Sequence, residues 1–320
     1  MRLTLNRRSF LTAAAALPLM PRMGNAATPL NFQASWLNDA EFSGYYVAMD
    51  QGYYSAEGLD VAYAAGGPDV IPETTLVAGK ADMTLTTPDT TIQAITTQGA
   101  KFKIIGAQYQ KNPVGIVSLA KNPLKTPADL VGKTIAVPPV NTISVQAMLK
   151  MNNIDPASVT IVPYEYDPTP LIKGEVDGTL DFVTNVPYSI KLAGEEATSF
   201  LLYDFGYTLF NDTVVVTEDT LKAKRKELVA WLRASRKGWA ENLTDPAAWP
   251  PKWKDTYFAG NGREIDNEIF YNTAQKPLID SDKGIFSMSE EAIAANIAAL
   301  GAVGIAATRE MFDTTLLEEI

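Results

Sequence analysis

From Leu30 onward, short apolar runs alternate with stretches whose apolar residues recur at helical spacing. The runs predict strands over Leu30–Ala34, Leu59–Ala64, Met83–Thr86, Lys103–Ala107, Gly115–Ala120, Thr134–Val137, Thr160–Pro163, Gly178–Val183 and Thr213–Thr217. Helical patterns lie between most of them. One covers Leu221–Glu241, where Leu228, Trp231, Leu232 and Trp239 share a face and Asp219 is placed to cap the start. Strands alternating with helices predict an α/β fold with mostly parallel sheets.

The pattern also echoes itself. Thr74-Thr75-Leu76-Val77-Ala78-Gly79-Lys80-Ala81-Asp82-Met83-Thr84-Leu85 parallels Thr169-Pro170-Leu171-Ile172-Lys173-Gly174-Glu175-Val176-Asp177-Gly178-Thr179-Leu180 at a constant offset of 95 residues. Each copy reads as a helix end, a glycine cap, an aspartate and a strand entering a core. Two lobes of similar build follow, one over residues 27–112 and one over 113–207, with 208–320 returning to the first. The return is expected because Leu221–Ile320 is largely helical, with too few strands for a sheet of its own. Two crossing segments between two lobes make a hinge beside a cleft, and such clefts close on small molecules.

In α/β sheets, ligands sit beyond the carboxyl ends of the strands. After the first predicted strand comes Ser35-Trp36-Leu37-Asn38-Asp39-Ala40-Glu41-Phe42-Ser43-Gly44-Tyr45-Tyr46, unusually dense in aromatics. Phe42 and Tyr46 suit the core face of the next helix, whereas Trp36 and Tyr45 are expected to stack on a flat ligand that Asn38 can also hydrogen-bond. After the second strand, Gly66 and Gly67 permit close backbone approach. Asp69 there can accept from a ligand N–H or cap the helix that starts near Pro72; Thr87 and Asp89 after the third strand carry the same two readings. Tyr109 precedes the first crossover. In the second lobe the corresponding loops offer Asn141 and Thr142, Tyr166, and Asn185 with Tyr188, and Tyr207 lies near the second crossover.

Composition narrows the chemistry. There is no Cys and no His among the 320 residues. Disulfides, thiolate metal sites and Cys nucleophiles are excluded, and the commonest general base and transition-metal ligand are missing. No cofactor, metal site or catalytic residue is therefore expected. The net charge of −10 opposes binding to nucleic acid. No arginine occurs between Arg22 and Arg225, the span that holds the cleft loops. Arginine is the usual bidentate clamp for sulfonate, phosphate or dicarboxylate, so aromatics, amides and carboxylates there suit a neutral or weakly cationic flat heterocycle better.

The first 26 residues form an address. Arg7-Arg8-Ser9-Phe10-Leu11, the apolar run Ala13–Leu19 and the small residues Gly24 and Ala26 have the order of an export signal cleaved after Ala26. The paired arginines are similar to a twin-arginine signal for folded cargo. The apolar run is too short to span a bilayer. Removing this piece, with its four arginines and no acid, takes the formal charge from −10 to −14. A soluble periplasmic product is expected.

Trp36-Leu37-Asn38, Gly44-Tyr45-Tyr46-Val47-Ala48, Gln51-Gly52-Tyr53-Tyr54-Ser55-Ala56-Glu57-Gly58-Leu59-Asp60, Gly79-Lys80-Ala81-Asp82 and Leu130-Val131-Gly132-Lys133-Thr134-Ile135-Ala136-Val137 resemble a known pattern. It is that of ABC-importer substrate-binding proteins for thiamine pyrimidine precursors, riboflavin, and sulfonates or nitrate. The resemblance spans most of the chain after residue 26 and looks closest to the pyrimidine and riboflavin branches. It implies the type II periplasmic binding protein fold and a monomer that passes a small heteroaromatic ligand to a permease and its ATPase. A sulfonate, taurine or nitrate binder of the same family is the first alternative. The same resemblance extends to the yeast-type thiamine pyrimidine synthase, an enzyme that uses a lysine, a histidine and a Cys-rich iron motif. Here Thr86 stands at the lysine position and Thr90 at the histidine position, so the resemblance does not carry that chemistry over.

Overall fold

Ten strands divide into two five-stranded sheets in this computed structural model, which describes residues 27–320. The export signal expected over residues 1–26 lies outside the described residues. The first sheet holds β1 (Thr28–Gln33), β2 (Leu59–Ala64), β3 (Met83–Thr86), β4 (Phe102–Tyr109) and β10 (Asn211–Thr217), in the order β2-β1-β3-β10-β4. The second holds β5 (Val114–Leu119), β6 (Thr134–Val137), β7 (Thr160–Pro163), β8 (Gly178–Phe182) and β9 (Ala197–Leu201), in the order β7-β6-β8-β5-β9. In each sheet four strands run in the same direction and one, β10 or β5, runs antiparallel between two of them. The two sheets are the cores of two lobes, joined at β4–β5 and again between β9 and β10. This is the two-lobed α/β plan the alternating pattern predicts.

Helices cover the sheets: α1 (Ser43–Asp50), α2 (Tyr53–Ala56), α3 (Pro72–Val77) and α4 (Pro88–Gln98) in lobe 1, then α5 (Thr142–Met151), α6 (Thr169–Ile172) and α7 (Val186–Leu192) in lobe 2. The chain returns through α8 (Glu218–Ala223), α9 (Arg225–Thr244) and α10 (Ile265–Ala274). The helix expected over Leu221–Glu241 is thus two helices that meet at Lys224. Its cap is Thr217, whose hydroxyl accepts from Thr220 N at 3.0 Å, and not Asp219. The expected apolar face is correct: Leu228, Trp231, Leu232 and Trp239 are all buried. At the crossing of α1 and α9, a Cβ on Gly44 would stand 2.1 Å from the Trp239 ring, and one on Gly238 would stand 2.2 Å from the Gly44 carbonyl oxygen. The two helices approach this closely because both contact positions lack a side chain.

The internal echo is structural. Gly79 and Gly174 both take left-handed backbone, with φ of 65° and 75°, and end their helices. Asp82 then accepts from Asn31 N at 2.8 Å while its own N–H donates to the Asn31 carbonyl at 2.9 Å. Asp177 repeats both bonds with Thr134, at 2.9 and 2.8 Å. In each lobe the aspartate fastens the start of one parallel strand to its neighbour.

Candidate ligand site between the lobes

The carboxyl ends of β1 and β4 lie across from those of β7 and β8. Three aromatic pairs span the gap. Trp36, just past β1, has its ring centroid 5.6 Å from that of Tyr166, just past β7. Tyr109 at the end of β4 meets Phe182 at the end of β8 at 6.2 Å. Tyr188 of α7 meets Phe270 of α10 at 5.6 Å. The lobes therefore touch along the cleft. Tyr166 holds a φ of 60°, which is uncommon for a bulky residue, and is 52% exposed.

Several of the sequence-selected residues come together here. Trp36 and Tyr166 form the pair just described, and Tyr188 closes one side of the cleft. A second group lies toward the crossovers: Tyr207 accepts from the Ser144 hydroxyl of α5 at 3.0 Å and lies within the field of Asp89. Asp89 sits in the first turn of α4, where Thr87 and the Thr90 amide hydrogen-bond its carboxyl; burial outweighs them and raises its pKa. Asn141 and Thr142, both half-buried, start α5 beside Ser144. Asn185 begins α7 with its Oδ1 buried and without a partner.

Other selected residues are buried, already engaged or on exposed loops. Tyr45 is 0% exposed and packs in the core of lobe 1 between Phe32, Trp231 and Trp239, so it offers no face to a ligand. Tyr109 is likewise fully buried and donates its hydroxyl to Gln275 Oε1 at 2.6 Å. The Oδ1 of Asn38 is engaged by the hydroxyls of Tyr63 at 2.9 Å and Tyr46 at 3.3 Å. Asp69 is exposed on its loop and caps nothing, since α3 starts after Ile71 without a side-chain cap. Gly67 is buried against Leu37; Gly66 is the tighter position, where a Cβ would stand 2.5 Å from the backbone of Ser35.

Sequence reasoning missed a buried acidic group under the cleft floor. Asp212, at the start of β10 with φ of 45°, accepts from the Ser35 hydroxyl at 2.7 Å and from Gln108 at 3.3 Å. Its carboxyl also shares a hydrogen bond with Glu41. Burial raises both pKa values, and the neighbouring Asp212 charge adds to the rise at Glu41. Arg263 arrives from the return segment and pairs with Asp39 at 2.7 Å and Glu268 at 3.8 Å. Burial lifts the Glu268 carboxyl to about 7, aided by Asp39 and opposed by Arg263. An arginine does reach the cleft region despite the long arginine-free span, but two carboxylates already hold it. Lobe 2 contributes Asp181 on β8, which accepts from the Tyr164 hydroxyl at 2.8 Å. Apart from Arg263–Glu268 and Tyr164–Asp181, these contacts join residues more than 100 apart in the chain, and no local motif announces them.

The synthase positions are occupied by a hydroxyl cluster. Thr86, Thr90 and Thr91 all donate to Glu73 Oε1, at 2.7, 2.8 and 3.3 Å. Among the described residues no cluster of acidic, His or Cys side chains is arranged to hold a metal ion, and no helix is long and apolar enough to cross a membrane.

Known proteins share this arrangement of the chain. RibY, a riboflavin-binding protein of Chloroflexus aurantiacus, is 28% identical over 244 residues, covering 73% of this chain and 69% of its own. A formylaminopyrimidine-binding protein of Halalkalibacterium halodurans is 25% identical over 219 residues, covering 66% of this chain and 65% of its own. Among solved structures, the periplasmic aliphatic sulphonate binding protein SsuA of Escherichia coli matches with a TM-score of 0.66 at 14% identity, over 86% of this chain and 91% of its own. At that identity the likeness is one of fold, and the fold is that of periplasmic binding proteins. The family model described as NMT1/THI5 like matches residues 39–248, which include the whole second sheet and both crossovers, and the chain belongs to that family.

Proposed function

We propose that this protein is the exported substrate-binding component of an ABC importer and captures a flat heteroaromatic nutrient, a thiamine pyrimidine precursor or riboflavin, between its lobes. The observation that carries the reading is the Trp36–Tyr166 pair, one ring from each lobe, at the mouth of a hinged cleft. Rings of a ligand and of these residues stack favourably, and burying them removes apolar area from water. The riboflavin and formylaminopyrimidine specificities of the two relatives support the same class of ligand. Binding rather than turnover fits the named relatives, and it fits Thr86 and Thr90, whose hydroxyls are committed to Glu73. In this reading residues 27–112 with 208–320 form lobe 1, 113–207 form lobe 2, the monomer works in the periplasm, and its partners are a permease and an ATPase.

The sulfonate branch is the competing reading, favoured by the fold of SsuA and by the start of α5, which has no side-chain cap. Asp89 argues against it from the other wall, because a carboxylate already occupies the first turn of α4. Calorimetric titration with hydroxymethylpyrimidine, formylaminopyrimidine, thiamine and riboflavin, beside taurine and an alkanesulfonate, decides between them. Tight binding of a heterocycle is expected. Heat from the sulfonates alone would overturn the reading.

A further inference from the structure

We propose that Asp181 selects the ligand by pairing its carboxyl with an amino-azine edge, an N–H donor beside a ring nitrogen, on a heterocycle held by Trp36 and Tyr166. This rests on the heterocycle reading above and narrows it to the aminopyrimidine class.

Asp181 lies on β8 one residue before its end, paired with Gly115 of β5, which brings no charge to it. Its Oδ2 accepts from Tyr164 and its Oδ1 from the Phe182 N–H at 2.6 Å. A carboxylate has roughly four acceptor sites, so about two remain for a ligand. The ring of Tyr164 is 5.7 Å from that of Tyr166, which sets the carboxyl next to the aromatic pair. Just past the same strand, Thr184 is 1% exposed with its hydroxyl unpartnered, and Asn185 Oδ1 is buried and unpartnered as well. Three polar groups thus follow one another along the lobe 2 wall, two of them lacking the hydrogen bonds that buried groups ordinarily make.

A partly enclosed carboxylate without an ion pair is costly. Among the described residues Asp181 has no ion-pair partner; the cation that acts on it, Arg263 of lobe 1, is engaged by Asp39 and Glu268. Burial therefore leaves its carboxyl at about 6, with Tyr164, the Phe182 N–H and Arg263 pulling downward. Such a group shares one proton with a weakly basic ring nitrogen and accepts a second bond from the adjacent amino group. An imide edge places carbonyls on both sides of its N–H and meets the carboxylate with repulsion. A sulfonate meets it with like charge.

The test is calorimetry on the wild type, Asp181→Asn and Tyr164→Phe, using 4-amino-5-hydroxymethyl-2-methylpyrimidine and its 4-oxo analogue. The wild type is expected to prefer the amino compound, and Asp181→Asn to bind it about 10-fold or more weakly. An asparagine amide presents an acceptor beside a donor and pairs with either edge, so the preference should shrink toward one in that variant. The wild-type affinity profile should bend near the Asp181 pKa. The titratable groups facing Asp181 are Tyr164, Tyr166 and Arg263, and losing the Tyr164 hydroxyl should move the bend to higher pH. Equal affinity of wild type and Asp181→Asn for the amino compound overturns the inference. Should the variant not fold, judged by circular dichroism, the wild-type ratio of amino to oxo affinity decides, and a ratio near one overturns it. Wild-type binding of riboflavin without the amino compound defeats this inference alone. No binding of any heterocycle defeats the heterocycle reading with it.

Discussion

Trp36 and Tyr166 meet across the two lobes with ring centroids 5.6 Å apart and planes tilted by 55°. A flat ligand sandwiched between them needs two stacking gaps, roughly 7 Å in all. The pair must part and turn parallel to admit a ring, so ligand binding should change the tryptophan fluorescence. Trp36→Ala and Tyr166→Ala are each expected to weaken binding by about 10- to 100-fold, and Trp36→Phe far less. Titration by intrinsic fluorescence and calorimetry checks both statements. Tyr45→Phe, a core change away from the cleft, should leave affinity unaltered.

The helix crossing at Gly44 and Gly238 should tolerate no side chain. A Cβ on Gly238 meets backbone atoms of α1, which cannot swing aside as a flexible side chain would. Gly238→Ala is expected to cost about 3 kcal/mol or more. Urea unfolding measures this, and a cost near zero would contradict the packing described.

Stability should fall as pH rises from 5 to 8. Asp39, Glu41, Asp89, Asp181, Asp212 and Glu268 all have raised pKa values, chiefly through burial. A carboxyl raised by folding holds its proton longer in the folded chain than in the unfolded one. The folded state then binds more protons between the unfolded value and the folded one, and loses stability across that window. Asp181 accounts for the part up to about 6 and Glu268 for the part up to about 7. Thermal melts should drop by about 5 °C or more across this range. Glu268→Gln should flatten the upper part of the curve.

The two strand clasps should behave as independent copies. Asp82→Ala and Asp177→Ala each remove an acceptor from a backbone N–H, at an expected cost of about 1–3 kcal/mol. They belong to different sheets, so the double variant should show the sum to within about 0.5 kcal/mol. Denaturant titration of the four proteins tests it.

How much of this was legible in the sequence depends on range. Nine of the ten strands have local apolar runs that announce them, and the offset repeat announces the duplication. Strand β9 was missed because Ala197–Leu201 is an edge strand with a single fully buried residue, following Gly194-Glu195-Glu196. The break at Lys224 was missed because the apolar periodicity continues across it. Trp36 could be chosen from its place after a strand, whereas Tyr45 could not be told from its helix neighbours: Tyr45 and Tyr46 are both buried, on different packing partners. Arg263, Glu268 and Asp212 gave no signal because their partners Asp39, Glu41 and Ser35 are distant in the chain. Asp181 was hidden inside a strand pattern that its neighbours Leu180 and Phe182 dominate.

The paired clasps at Asp82 and Asp177 also bear on mechanics. Each locks parallel strands inside one sheet, so each lobe answers a load as a stiff plate. The plates are connected by residues 110–113 and 202–210. In the proposed function, a ligand gripped between the plates is expressed as an angle between them. A membrane partner that gauges this angle from outside can sense an occupied cleft without touching its contents.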